Sequence, residues 1–121
     1  MPLPFSPYLE KNGFIFTSGQ VHITPVGKLL EGTIEEKTTQ VMKNLEEVLE
    51  KAGVGFKDVV KSTVYITDIS NYGKVSETYA TFFTENFPAR EIVCVKALPD
   101  EITPDEITLS IPNRNVRFSA T

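Results

Sequence analysis

The residues with the clearest chemical potential form the motif Phe87-Pro88-Ala89-Arg90. Proline fixes its own φ and drives the preceding residue out of the helical region, so a helix that arrives from upstream should end near Asn86. A run of β-branched residues follows, and Arg90 is therefore expected where a helix meets a strand. A guanidinium in a fixed orientation can bind one carboxylate through two parallel hydrogen bonds. The motif indicates an anion site at Arg90, although most arginines are ordinary surface residues.

Few other side chains offer chemistry. His22 is the single histidine, and spacing alone places no nucleophile beside it, so a structural role is favoured. Cys94, the single cysteine, is expected to be a small buried hydrophobic residue within a strand rather than a nucleophile. Asp105 and Glu106 begin the last predicted strand and could be ordinary edge charges. The sequence contains no glycine-rich phosphate loop and no HExxH, CxxC or GxSxG motif.

Composition narrows the class of protein. The 121 residues are enough for one domain, spanning 1–121. A net charge of −4 weighs against nucleic-acid binding, and one cysteine with one histidine gives no metal set and no internal disulfide. No apolar leader is visible, and no apolar run approaches the roughly 18 residues of a membrane span. The sequence predicts a soluble, cytoplasmic protein that does not bind membranes.

The most regular stretch is a helix over residues 33–52. Thr33 and Glu36 form a capping box at its start, and apolar residues then recur at helical spacing. Gly53 fits the left-handed position that commonly ends a helix. The Glu and Lys residues of this helix are expected to form its solvated face.

The other elements are predicted from turn residues, proline breaks and β-branched runs. Asn12-Gly13 is the preferred pair for a two-residue hairpin turn. Around the first helix we expect strands at 8–11 and 14–18, a turn-rich connection at 21–32, a central strand at 59–67, a second helix after the caps at 68–71, strands at 91–98 and 106–111, and a loose tail at 113–121. Two helices on one side of a mixed sheet leave its other face uncovered, which favours a symmetric oligomer with sites between subunits.

Six short motifs occur in the order found in a known family and lie within residues 5–111. The motifs are Ser6-Pro7-Tyr8, Phe16-Thr17-Ser18-Gly19-Gln20, Val59-Val60-Lys61-Ser62-Thr63-Val64-Tyr65-Ile66, Thr78-Tyr79-Ala80-Thr81-Phe82-Phe83, Phe87-Pro88-Ala89-Arg90 and Leu98-Pro99. The sequence resembles the Rid (reactive intermediate deaminase) family, also called YjgF-type or L-PSP. The resemblance implies a chorismate-mutase-like α+β fold that assembles as a homotrimer around a central barrel, with ligand clefts between subunits.

The resemblance also implies an activity: hydrolysis of 2-enamine and 2-imino acids to 2-keto acids and ammonia, with no cofactor or metal. Arg90 matches the residue that binds the substrate carboxylate. An acidic residue of the last strand holds the attacking water, and its nearest matches are Glu106 and Asp105. The positions that match the lining of the family's cleft are Tyr8, Ser18 and Gly19.

Three features depart from the family pattern. Ile92 stands where active deaminases often have cysteine, and Ser76 stands where an asparagine is often found; both positions belong to the substrate-binding set. The last strand carries an apparent extra residue, so either Asp105 or Glu106 could face the cleft, because a slip of one residue turns a side chain to the opposite face.

These departures leave alternative functions open. A trimer that binds small carboxylates without hydrolysing imines would keep Arg90 and lose the water-activating step. A ribonuclease or translation inhibitor, a label that some family members carry, is disfavoured by the acidic composition and the single histidine.

Overall fold

The computed structural model describes residues 4–98, 107–110 and 116–117. Within them the chain is of the α+β class, with two helices and short strands, as predicted. Two 3₁₀ turns, Phe56–Asp58 and Ile69–Asn71, accompany the regular elements. In chain order the helices and strands are β1 (Tyr8–Lys11), β2 (Phe14–Thr17), α1 (Ile34–Lys51), β3 (Lys61–Ile66), α2 (Tyr72–Ala80), β4 (Ala89–Cys94), β5 (Ile107–Ser110) and β6 (Val116–Arg117).

Strands β1 and β2 form the predicted hairpin. Asn12 and Gly13 have φ values of 53° and 80°, the left-handed conformations that a two-residue type I′ turn requires. The antiparallel register pairs Lys11 with Phe14 across this turn. On its other side β2 pairs with β6, which lies within the tail predicted to be loose. The result is a three-stranded sheet in the order β1-β2-β6.

Helix α1 begins and ends as its sequence predicted. The Glu36 N–H donates to Thr33 Oγ1 at 3.1 Å, and the Thr33 N–H donates to Glu36 Oε1 at 2.9 Å, completing the capping box. At the other end Gly53 has φ 82°. The N–H groups of Gly53 and Val54 donate to carbonyls of the last helical turn, which is the Schellman arrangement.

One face of α1 forms much of the hydrophobic core, together with Ile15, Val64 and Ile66. Lys37 corrects the expectation that every lysine of this helix is solvated, because only 3% of it is exposed. Position 37 lies three residues after Ile34 and four before Val41, so it falls on the buried stripe of the helix. The aliphatic stem of a lysine can be covered in this way.

The second sheet has the order β4-β3-β5. It is mixed, because β3 pairs in parallel with β4 and antiparallel with β5. The sequence suggested one mixed sheet, whereas the described residues form two three-stranded sheets. Strand β3 is central as predicted, but it is shorter than 59–67 because a 3₁₀ turn occupies Phe56–Asp58 and Val59 closes that turn. The parallel pair requires a crossover, and α2 supplies it.

Helix α2 ends at Ala80, about six residues before the predicted end. The Thr81 hydroxyl donates to the Thr78 carbonyl at 2.7 Å and competes with the helical backbone pattern there. Phe82 and Phe83 then turn back, and their rings lie 5.7 and 5.3 Å from the Phe56 ring. Tertiary packing, and not the proline at 88, therefore ends this helix.

Strand β4 occupies Ala89–Cys94 rather than 91–98, so Arg90 lies inside the strand and not at its junction with a helix. In the parallel register Arg90 is opposite Ser62. Cys94 is exposed, which corrects the expectation that it is buried. The reason is its position at the end of β4, an edge strand of the sheet, where cover from neighbouring elements is least.

Candidate functional site

Arg90 is held between two tyrosine rings on α2. Its Nη2 donates a hydrogen bond of 3.3 Å to the Tyr72 hydroxyl. Its guanidinium carbon lies 5.2 Å from the centre of the Tyr79 ring and 5.8 Å from that of Tyr72, within cation–π range. Tyr72 and Tyr79 are seven residues apart, which places them on one face of α2 two turns from each other. The helix therefore fixes both rings, and the rings fix the guanidinium.

A buried hydrogen bond orients Tyr79. Its hydroxyl lies 2.6 Å from Ser62 Oγ, and Ser62 is the residue opposite Arg90 in the β3–β4 register. Burial raises the pKa of Tyr79 above its usual 10.0, against the opposing influence of the Ser62 hydrogen bond and the Arg90 charge. Tyr79 is therefore a neutral phenol at physiological pH. Ser62, Tyr79, Arg90 and Tyr72 form a connected chain that we call the Arg90 bracket.

The two positions that depart from the family pattern lie beside this bracket. Ser76 follows Tyr72 by four residues on the same face of α2; its Oγ is buried and has no hydrogen-bond partner within the described part of the chain. Ile92 follows Arg90 by two residues along β4 and packs against the hydrophobic core. Ser76 and Ile92 therefore lie on α2 and β4, the two elements that carry Tyr72, Tyr79 and Arg90.

Tyr8, Ser18 and Gly19 form a second group near the start of the chain. The Tyr8 hydroxyl donates to the Lys51 carbonyl at 3.3 Å, which ties β1 to the end of α1. The Ser18 hydroxyl donates to the Ser6 carbonyl. The Ser18 N–H donates to the Pro7 carbonyl at 3.0 Å, so the segment after β2 is fixed against the start of β1.

Ser18 and Gly19 line a cleft of about 600 Å³ between this segment and α1. Asn44 of α1 builds its wall, because its side-chain amide donates to the carbonyls of Val21 and Ile23 at 2.9 and 2.8 Å. The lining of the cleft includes polar residues such as Gln20 and apolar residues such as Phe5. Such a lining suits a small ligand with one polar end.

The two groups remain separate within one chain. Across residues 4–98, no hydrogen bond, ion pair or ring contact joins Arg90 to Tyr8, Ser18 or Gly19. The two acidic residues predicted to hold water, Asp105 and Glu106, lie outside the described residues.

The remaining candidate from the sequence, His22, lies in a structural environment. His22 is 1% exposed, and its carbonyl accepts a hydrogen bond from the Leu30 N–H, which agrees with a structural role.

Another cleft, of about 560 Å³ between α1 and α2, contains none of the predicted site residues. In the described ranges no cluster of three His, Cys, Asp or Glu side chains could hold a metal ion. No helix in those ranges is both long and apolar enough to cross a membrane.

The sequence did not identify Tyr72, Tyr79 and Ser62 as neighbours of Arg90. Aromatic residues at helical spacing indicate core packing, and for Tyr79 this agrees with its burial. The signal that could have revealed them is the choice of tyrosine rather than phenylalanine at two positions seven residues apart. A buried phenol needs a hydrogen-bond partner, and its ring attracts a cation.

Comparison with known proteins agrees with the arrangement of elements and motifs. The family model described as Endoribonuclease L-PSP matches residues 2–109. A RutC family protein of Pyrococcus abyssi is 40% identical over 105 residues, covering 84% of this chain and 83% of that protein. A mouse protein named 2-iminobutanoate/2-iminopropanoate deaminase is 41% identical over 97 residues, covering 79% of this chain and 72% of that protein.

A solved structure gives the same result for the fold. A protein of the conserved Rid family from Yersinia pestis matches with a TM-score of 0.80 and 41% identity, covering 88% of this chain and 86% of that one. The chain therefore belongs to the endoribonuclease L-PSP family, in which the Rid proteins fall, as its motifs predicted.

Proposed function

We propose that this protein hydrolyses reactive 2-imino and 2-enamine acids to 2-keto acids and ammonia, with Arg90 binding the substrate carboxylate. The observation that carries the proposal is the Arg90 bracket, in which the Tyr72 hydroxyl and the rings of Tyr72 and Tyr79 hold the guanidinium in one orientation. A pre-oriented guanidinium is suited to a carboxylate because little freedom is lost on binding. The family includes proteins named for this activity at about the same identity, which supports the assignment.

The proposed reaction requires few catalytic groups from the protein. The carbon of a protonated imine is already electrophilic, so the site has to hold the acid and orient one water. Water oxygen bonds to this carbon and transfers a proton to the nitrogen, giving a tetrahedral amino alcohol. Collapse to the keto group breaks the carbon–nitrogen bond, the nitrogen leaves as ammonia, and the hydroxyl proton passes to solvent. We assign the water-holding role to Glu106, with Asp105 as the alternative, and the proposal involves no cofactor.

We further propose that the protein is a cytoplasmic homotrimer with a central barrel, and that its cleft lies between subunits. Tyr8, Ser18 and Gly19 of one subunit would then face Arg90 of the next. Two features support this. Among the described residues of one chain, no hydrogen bond, ion pair or ring contact joins Arg90 to Tyr8, Ser18 or Gly19. The edge around β4 also exposes large apolar side chains: Val60, Phe87 and Val93.

Substitution of Arg90 tests the proposal. We expect Arg90→Ala to lower kcat/KM by about a hundredfold or more, the order for loss of two charge-assisted hydrogen bonds. The measurement follows 2-iminobutyrate generated by threonine dehydratase, with semicarbazide as a competing trap. Lys57→Ala is the matched control, because it removes an exposed cation that is not part of the bracket. Equal imine decay with wild type, Arg90→Ala and buffer would rule out the deaminase.

A second candidate is a trimer that binds small carboxylates without hydrolysis. It is favoured by Ile92, whose side chain packs into the core where active members often have a cysteine. In that case wild type would bind 2-ketobutyrate, Arg90→Ala would not, and the imine would decay as in buffer. Despite the family's name, ribonuclease activity is not proposed for this chain, because its net charge of −4 disfavours binding to phosphate backbones.

A further inference from the structure

The hydroxyl of Tyr72 differs from the other polar groups of the Arg90 bracket. It accepts a hydrogen bond from Arg90 Nη2 at 3.3 Å, and within the described residues it makes no other hydrogen bond. A phenol hydroxyl has one proton to donate as well as lone pairs that accept. Because Arg90 occupies an accepting position, the proton of Tyr72 is left to donate. With 46% of the residue exposed, that proton is accessible from solvent.

Tyr79 cannot play the same part. Its hydroxyl is buried and already paired with Ser62 at 2.6 Å, so its contribution to Arg90 is the face of its ring. The guanidinium has five N–H donors, of which the bond to Tyr72 uses one. A carboxylate bound to the remaining donors would lie beside the Tyr72 hydroxyl.

We propose that Tyr72 both positions Arg90 and contacts the substrate, with its hydroxyl accepting from the guanidinium and donating to the carboxylate bound there. This inference rests on the proposed function, since it takes the ligand of Arg90 to be a small 2-imino or 2-keto acid. The carboxylate is then held by at least three hydrogen bonds, two from Arg90 and one from Tyr72. An amide analogue of the ligand carries no charge and supplies one acceptor oxygen, so Tyr72 contributes to selection for the acid.

The positioning half of the proposal is tested without ligand. The sequence contains three arginines, so the side-chain ¹⁵N–¹H signals of Arg90 can be assigned by their loss in Arg90→Lys. In Tyr72→Phe we expect the Nη signals of Arg90 to broaden or shift, because the ring remains while the fixed acceptor is gone. Tyr65→Phe is the matched control, since Tyr65 lies on the opposite face of β3 from Ser62. Unchanged Arg90 signals in Tyr72→Phe would overturn the positioning role.

The ligand half is tested by titration calorimetry with 2-ketobutyrate and by steady-state kinetics. We expect Tyr72→Phe to raise Kd and KM about three- to tenfold, the order for one net hydrogen bond, while kcat stays near the wild-type value. Loss of packing alone would not produce this split, and Tyr65→Phe should leave Kd unchanged. Equal Kd for wild type and Tyr72→Phe would overturn the contact with substrate.

Failure of the proposed function gives a different pattern. If wild type neither binds 2-ketobutyrate nor hydrolyses the imine, the assigned ligand class is wrong, and so is the proposed contact between Tyr72 and the substrate carboxylate. The ligand-free spectra still decide whether Tyr72 positions Arg90.

Discussion

At the residue scale, a hydrogen bond and a ring contact link Ser62, Tyr79 and Arg90. Ser62 supplies the hydrogen bond that a buried phenol needs, and the ring it orients faces the guanidinium. Removing Ser62 would leave the Tyr79 hydroxyl buried without its partner, at a cost of roughly 1–3 kcal/mol. The orientation of the Arg90 guanidinium therefore depends indirectly on Ser62, through the ring of Tyr79.

The raised pKa of Tyr79 predicts how stability changes in alkali. The folded state holds the phenol proton of Tyr79 more tightly than the unfolded chain does, so the neutral phenol favours the folded state. This contribution is complete below the ordinary pKa of 10.0 and is lost as pH rises above it. We expect the free energy of unfolding to fall more steeply above about pH 10 in wild type than in Tyr79→Phe. Urea unfolding at a series of pH values measures both slopes, and parallel curves would contradict the prediction.

A short motif can single out one residue as a candidate, but it does not specify the neighbours of that residue in the fold. Arg90 was identified from Phe87 and Pro88 before it, whereas Ser62 and Tyr79 meet across 17 positions of sequence. The helical spacing of apolar residues indicates that Tyr79 is buried, but it does not specify which strand residue forms a hydrogen bond with the Tyr79 hydroxyl. Cys94 was placed wrongly for a related reason, since exposure depends on which strand forms the sheet edge.

Elements were predicted well where the determining residues lie next to each other in the chain. The hairpin follows from Asn12-Gly13, and both ends of α1 follow from local hydrogen bonds at Thr33 and Gly53. The end of α2 depends instead on Phe82 packing against a ring far back in the sequence. The division into two sheets likewise depends on pairings between distant strands, which no local signal specifies.

The end of α1 gives a prediction at the scale of the element. Gly53 has φ 82°, where a side chain is strained, and its N–H closes the helix. We expect Gly53→Ala to lower the free energy of unfolding by about 1–2 kcal/mol, the cost of a left-handed conformation for an L-residue. Gly55→Ala is the matched control: Gly55 has φ −146°, and an added Cβ would meet no atom within 4 Å. Urea denaturation compares the two, and equal losses would show that the left-handed position is not responsible.

At the scale of the whole molecule, the candidate site residues fall into two groups, and within the described part of one chain no hydrogen bond, ion pair or ring contact joins Arg90 to Tyr8, Ser18 or Gly19. Arg90 and its bracket lie on the α2–β4 surface, while Ser18 and Gly19 line the cleft beside α1. The sequence anticipated an uncovered sheet face and hence an oligomer, and the homotrimer stays a prediction. If a cyclic trimer joins unlike surfaces, each site receives one half from each of two neighbouring subunits.

Mixing two inactive variants tests whether the site is shared between subunits. Arg90→Ala removes the anchor, and Gly19→Phe fills the cleft without a strained backbone, because Gly19 is not among the residues with positive φ. When the two are unfolded together in equal amounts and refolded, chance pairing leaves about a quarter of the interfaces with both halves intact. We therefore expect about a quarter of wild-type imine hydrolysis from the mixture and almost none from either variant alone. Sedimentation equilibrium should give three times the 13.5 kDa chain mass for wild type, both variants and the mixture. An inactive mixture of correct mass would place the whole site within one chain, whereas a monomeric wild type would remove the trimer itself.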